Sequence, residues 1–71
     1  MRYGEVLEYF LTKQGISRAE LARRVDVSRG QITDLINGRT SEPRLSNAKA
    51  IADALGVPLQ EMIDMMEPLD D

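Results

Sequence analysis

The 71-residue sequence has no cysteine and no histidine, and proline, glycine and aromatic residues are sparse in it. Without cysteine the chain can form neither a disulfide nor a thiolate metal site. Without histidine it lacks the commonest general base and a usual zinc ligand. No glycine-rich phosphate-binding loop occurs either. We therefore expect a protein that is not an enzyme, with no catalytic residues, no metal site and no cofactor.

Long apolar segments are missing as well. No apolar run approaches the roughly 20 residues that a membrane-spanning helix needs, and the N-terminus lacks the basic-then-apolar layout of a signal peptide. These absences predict a cytoplasmic protein with no membrane partner and no evident small-molecule ligand. A chain this short buries a small core, so we expect well-packed helices or a partner subunit to stabilise it.

The charged residues are unevenly distributed. The formal net charge is -3, which by itself argues against a nucleic-acid partner. Residues 60–71, however, contain five acidic residues and no basic one, whereas residues 13–49 contain eight basic and four acidic residues, a net charge of +4. This asymmetry indicates a basic working surface and an acidic end that faces elsewhere, although a solvated surface with an acidic tail has the same composition.

Apolar residues recur at helical spacing in five segments, and no segment has a strand pattern. Glycine follows three of the segments where a helix end is expected, and proline precedes two of them. The pattern predicts helices over about residues 3–14, 17–25, 28–37, 44–55 and 58–66. We expect one compact domain over residues 1–66, followed by an acidic C-terminal tail over residues 67–71.

Two of these predicted helices begin with a serine that is followed three residues later by Glu or Gln. Ser17 with Glu20, and Ser28 with Gln31, have the spacing of a capping box, in which each side chain bonds the other residue's backbone N–H. Only about three residues join the two helices. This layout is typical of two helices at a steep angle, the second of which is free to enter a groove of DNA.

The segment that contains these helices, GISRAELARRVDVSRGQITDLINGR, resembles the helix-turn-helix of the lambda-repressor-like regulators. That family includes phage repressors, Cro proteins and xenobiotic-response-element-type bacterial regulators. The likeness continues through Pro43, Arg44 and IADALGVPLQEMI, and covers roughly residues 5–64. It implies an all-α, five-helix DNA-binding domain with its helix-turn-helix at the second and third helices. It also implies a transcription regulator, a repressor, that binds operator DNA as a homodimer.

The resemblance implies that residues early in the third helix meet base edges in the major groove. These residues are Arg29, Gly30, Gln31, Thr33 and Asp34. Arg29 can donate two hydrogen bonds to guanine, and Gln31 can pair with adenine. Asp34 can accept from the amino group of cytosine, or can instead bond Arg39 or solvent. Thr33 offers a methyl to thymine or a hydroxyl to phosphate, whereas Gly30 has no side chain and permits close approach.

A second set of polar residues matches positions that contact DNA phosphates in that family. The set comprises Arg18, Ser28, Asn37, Arg39 and Arg44. Arg18 stands where relatives commonly have glutamine, and an arginine makes the stronger phosphate contact but cannot accept a bond from Arg29. Phosphate contacts determine affinity and register rather than the choice of sequence.

The C-terminal end is rich in methionine. Met62, Met65, Met66 and Leu69 exceed what so small a core needs, and they are either core filler or a plastic interface. Relatives often dimerise through this end, so the resemblance implies a homodimer that reads half-sites about 34 Å apart. The alternative is a protein–protein interaction module, or an antitoxin-like protein, that binds a partner through this acidic, methionine-rich end.

Overall fold

The computed structural model describes residues 1–39 and 43–66, which form five α-helices and no strand. The helices are α1 (Tyr3–Gln14), α2 (Arg18–Val25), α3 (Arg29–Asn37), α4 (Leu45–Leu55) and α5 (Leu59–Met66). The predicted all-α class and the five predicted segments are confirmed. Four helices begin one residue later than predicted. In α2, α3 and α4 the predicted first residue is the N-cap: Ser17, Ser28 and Arg44.

The ends of the first four helices share one conformation. Gly15, Gly38 and Gly56 are left-handed, as expected of glycine just past a helix. Helix α2 has the same left-handed end, but there the residue is Asp26, with φ 56°, and not glycine. A short polar side chain tolerates this conformation better than other non-glycine residues, at a cost of about 1 kcal/mol. The turn into α3 therefore forms without a glycine.

The hydrophobic core draws side chains from all five helices. Those with no more than 1% of their surface exposed are Val6, Leu7, Leu21, Ile32, Ile51, Ala52 and Met62. Helix α3 packs against α1 and α2, and α5 packs against α1 and α4. One side of α3 is therefore held inside the domain. None of the helices in residues 1–39 and 43–66 is long and apolar enough to cross a bilayer.

The methionines of α5 do not share one environment. Met62 is fully buried in the core, so it has no surface left to offer a partner. The prediction that Met62 lies at a dimer interface is therefore wrong, and its role is to fill the core. Met65 and Met66 are half-buried and pack against the core from outside. Leu69, the fourth predicted interface residue, lies outside the described residues.

Helices α1 and α3 cross unusually closely at Gly4. A Cβ atom at this position would lie 2.1 Å from the carbonyl oxygen of Leu35 and 2.9 Å from the Cα of Ile36. Glycine allows the two backbones to approach, because it has no side chain at the crossing. The close crossing holds the C-terminal half of α3 against α1.

Candidate nucleic-acid interface

Helices α2 and α3 form a two-helix unit whose inner face is apolar. Leu21 and Val25 of α2 and Ile32 and Leu35 of α3 are buried in the shared core. The turn between the helices is held in place, because the backbone N–H of Val27 donates to the carbonyl of Ala22 in α2. The unit therefore presents the opposite face of α3 to solvent in a defined orientation.

The start of α3 has the capping box that its sequence predicts. The hydroxyl of Ser28 accepts from the backbone N–H of Gln31 at 3.1 Å. The backbone N–H of Ser28 donates to the side-chain oxygen of Gln31, also at 3.1 Å. This prediction is confirmed. The N–H groups of Arg29 and Gly30 form no hydrogen bond with any described residue, and such N–H groups at a helix start attract anions.

The start of α2 has only half of its predicted capping box. The hydroxyl of Ser17 accepts from the backbone N–H of Glu20 at 3.0 Å. The carboxylate of Glu20 forms ion pairs with Arg23 and Arg24 instead of returning to Ser17. The hydrogen bond from Arg24 and the charge of Arg23 hold the pKa of Glu20 below its usual value. The second half of this capping box was therefore predicted wrongly, because two guanidinium groups attract a carboxylate more strongly than one amide does.

The five predicted base-contacting residues are all accessible, but to different degrees. Arg29, Gly30 and Gln31 are exposed, whereas Thr33 and Asp34 are partly exposed. Successive helical residues are separated by about 100°, so Gly30 and Asp34 lie on the side of α3 opposite the buried Ile32. A Cβ atom on Gly30 would meet only the hydroxyl of Ser28, at 3.8 Å.

Asp34 has no ion pair with Arg39 in the part of the chain that the structure describes. The bond between these two residues is one between main chains, in which the N–H of Arg39 donates to the carbonyl of Asp34 at 2.9 Å. That bond closes the C-terminal turn of α3. The carboxylate of Asp34 is thus left to other partners.

The predicted phosphate-contacting residues lie at helix ends and not at a single point. Arg18 is the first residue of α2, and Ser28 and Arg44 are the N-caps of α3 and α4. Asn37 is the last residue of α3, and Arg39 follows two residues later. Arg44 borders a shallow depression with Gln31 and Asp34. Arg18 instead borders another depression, at the corner between α1 and α2.

The family model described as helix-turn-helix matches residues 7–62, most of the chain. The protein belongs to the helix-turn-helix family. This membership identifies a DNA-binding transcription regulator and not an enzyme, as the missing catalytic residue types indicated. The resemblance seen in the sequence is thereby confirmed.

Two solved structures have a fold similar to that of this helix-turn-helix protein. The N-terminal DNA-binding domain of SinR from Bacillus subtilis is 18% identical, with a TM-score of 0.81, and the match covers 87% of this chain and 90% of that one. SinR, a master regulator for biofilm formation, in complex with DNA is also 18% identical, with a TM-score of 0.82 and coverage of 87% and 98%. No curated protein sequence matches the chain significantly.

Two polar residues beside the helix-turn-helix were not singled out from the sequence. Asn47 borders the depression that contains Gln31, Asp34 and Arg44. It follows Arg44 by three residues, and this spacing on one face of α4 is a signal that could have found it. Arg23 borders another depression with Ser28 and Arg29. No sequence signal separates it from its neighbour Arg24, because only the packing of α2 on α3 turns Arg23 toward the start of α3.

Proposed function

We propose that this protein is a sequence-specific transcription repressor that binds operator DNA as a homodimer, with α3 in the major groove. One observation carries the proposal: α3 is held from behind by α1 and α2, while its outer side is open. The open side carries a donor and an acceptor, Arg29 and Asp34, and an α-helix fits the major groove. Such a repressor acts where the DNA is, which in a bacterium is the cytoplasm.

The base-reading roles follow from side-chain chemistry at the start of α3. Arg29 donates two hydrogen bonds to guanine, and Asp34 accepts from the amino group of cytosine. Thr33 contacts a thymine methyl or a neighbouring phosphate. Gly30 permits close approach, since it has no side chain and a Cβ atom there would meet only the hydroxyl of Ser28, at 3.8 Å. Gln31, whose side-chain amide is exposed, completes the set.

The phosphate contacts come from the helix ends around α3. Arg44 borders the same depression as Gln31 and Asp34, so it lies within reach of the strand that flanks the groove. Ser28 lies at the capped start of α3, where unpaired N–H groups favour phosphate. Arg18, Asn37 and Arg39 extend this set along both sides. The arginines of this set make this part of the chain basic although the whole chain is negative. The acidic residues 60–71 belong to another part of the sequence.

The dimer interface lies in this proposal on an apolar groove between α1, α4 and α5. Leu45 and Ile63 border the groove and are large apolar residues with 74% and 40% of their surface exposed. Half-buried Met66 borders it too. An exposed apolar surface of this kind is typical of an interface in so small a protein.

The deciding experiment is in-vitro selection of randomised duplexes with the purified protein at near-physiological salt. We expect an enriched palindrome whose half-sites lie one helical turn, about 34 Å, apart. Affinity for the selected site should fall steeply as salt rises, because each phosphate contact releases counterions. A folded protein that enriches no duplex would contradict the proposal and favour a protein-binding module.

A further inference from the structure

The capping box at the start of α3 determines which hydrogen bonds Gln31 can offer to DNA. The backbone N–H of Ser28 donates to Oε1 of Gln31 at 3.1 Å, and the hydroxyl of Ser28 donates to the same oxygen at 3.4 Å. A backbone N–H can only donate, so the oxygen of the side-chain amide, and not its nitrogen, must face Ser28. An amide oxygen accepts two hydrogen bonds, and here both come from the protein itself.

The nitrogen of the same amide is free. Gln31 is exposed, and its Nε2 bonds no acceptor in residues 1–39 and 43–66. The side chain borders the depression of about 200 Å³ between α3 and α4, together with Asp34, Arg44 and Asn47. Of the polar atoms of the amide, those available to a ligand on this side are therefore the two N–H groups, which only donate.

We propose that Gln31 reads DNA as a donor alone and selects guanine, whose O6 and N7 both accept. Pairing with adenine requires the amide oxygen to accept from the N6 amino group while the nitrogen donates to N7. That oxygen is already saturated by Ser28, so the adenine contact expected from the side-chain type is unavailable while α3 is capped. This inference rests on the proposed function, and it assigns to the cap of α3 a second role in choosing the base.

The test is duplex selection with the wild type, Gln31→Ala and Gln31→Glu. The alanine variant locates the base position that Gln31 reads, because the wild-type preference should become flat at that position alone. We expect the wild type to prefer guanine to adenine there by about tenfold. Glutamate can still accept from Ser28, as in a standard capping box, but its free oxygen also accepts. In this variant the preferred base should change from guanine to cytosine, whose N4 amino group donates.

A matched pair at Ser28 tests the role of the cap itself. Ser28→Ala removes the hydroxyl and frees one lone pair of the amide oxygen, so the ratio of guanine to adenine should fall several-fold. Ser28→Thr keeps a hydroxyl and should keep the wild-type ratio. Circular dichroism would verify that each variant is folded. If Ser28→Ala does not fold, the base preference of Gln31→Glu decides whether Gln31 reads DNA as a donor alone.

The outcomes separate this inference from the function on which it rests. Adenine as the preferred base in the wild type, no flattened position in Gln31→Ala, or equal ratios in the two Ser28 variants would each overturn the donor-only reading while leaving the repressor in place. A wild type that enriches no duplex would overturn the repressor proposal itself.

Discussion

Gly30 is the residue whose identity has least explanation inside the folded chain. Its φ is not positive, and a Cβ atom would make only an ordinary contact, at 3.8 Å, with the hydroxyl of Ser28. Alanine there should raise the stability of α3 by up to about 1 kcal/mol, since glycine is a poor helix former. We expect Gly30→Ala to keep or raise Tm but to weaken operator binding tenfold or more, because the methyl lies between α3 and the bases. Thermal unfolding and a binding titration measure the two effects, and unchanged affinity would exclude close contact at this position.

Arg29 and Arg44 should differ in the kind of binding energy they contribute. Arg29→Ala should cost roughly 1–3 kcal/mol on the selected operator and relax the preference at one base position. Arg44→Ala should weaken binding to all duplexes alike and reduce the salt dependence of the affinity. Titrations of both variants against the operator and a scrambled duplex check this pair. A uniform loss for Arg29, or a selective one for Arg44, would exchange their roles.

Tyr3 makes the stability of the protein sensitive to alkaline pH. Its hydroxyl is buried without a hydrogen-bond partner among the described residues, and burial raises its pKa to about 12. The neutral form is favoured in the folded state, so this contribution to stability is present below pH 10 and is lost as pH rises from about 10 to 12. The loss amounts to roughly 2–3 kcal/mol.

Tyr3→Phe removes the titrating group and serves as the test. The variant should be as stable as the wild type at neutral pH, or slightly more stable, because no hydrogen bond to a described residue is lost. Urea unfolding at several pH values should show a smaller decrease above pH 10 than in the wild type. Parallel decreases in the two proteins would mean that Tyr3 is not the group responsible.

At the scale of helices, the crossing of α1 and α3 depends on Gly4. The Cβ of an alanine would overlap the backbone of α3, which cannot move aside as a flexible side chain can. We expect Gly4→Ala to destabilise the fold by about 3 kcal/mol or more, at the upper end for overpacked cores. The matched control is Gly30→Ala, the same change on an open helix face. Urea unfolding compares them, and equal free energies of unfolding would contradict the close crossing.

Helix starts show how far local sequence signals reach. Ser17 and Ser28 cap their helices as predicted, because a cap depends on residues within one turn. The return bond of Gln31 also forms, whereas that of Glu20 does not. Glu20 has two arginines within the next turn, and Gln31 has no such competitor for its amide. Counting the opposite charges three and four residues away would have corrected the prediction for Glu20.

At the scale of the whole molecule, the apolar groove predicts a dimer that a single charge should disrupt. Ile63→Asp or Leu45→Glu would place a carboxylate in the proposed interface, and we expect a monomer with weaker operator binding. Tyr9→Glu is a suitable control, because Tyr9 is a large exposed residue that does not border the groove. Sedimentation velocity measures the assembly state. Groove variants that remain dimeric would show that the interface lies elsewhere.

The sequence by itself determined the order of the five helices, their bounds to within a residue, and membership in the helix-turn-helix family. These properties depend on caps, turns and periodic apolar residues, whose interactions are local along the chain. The sequence could also list the polar residues early in α3 that are available to DNA. It could not show which of those residues border the same depression as Arg44, because residues 31 and 44 share that depression only in the folded domain.

Only the tertiary structure decided which methionine is core and which atom of Gln31 is free. Met62 and Met66 have the same side chain on the same helix, and the packing of α5 against α1 and α4 buries the first completely. Any glutamine amide has both a donor and an acceptor, but in the structure the backbone N–H and the hydroxyl of Ser28 both donate to the acceptor oxygen of Gln31. The burial of Met62 and the hydrogen bonds of Gln31 both depend on which groups lie close to the side chain in three dimensions. A sequence pattern contains no such distances, so it cannot show which of the possible contacts forms.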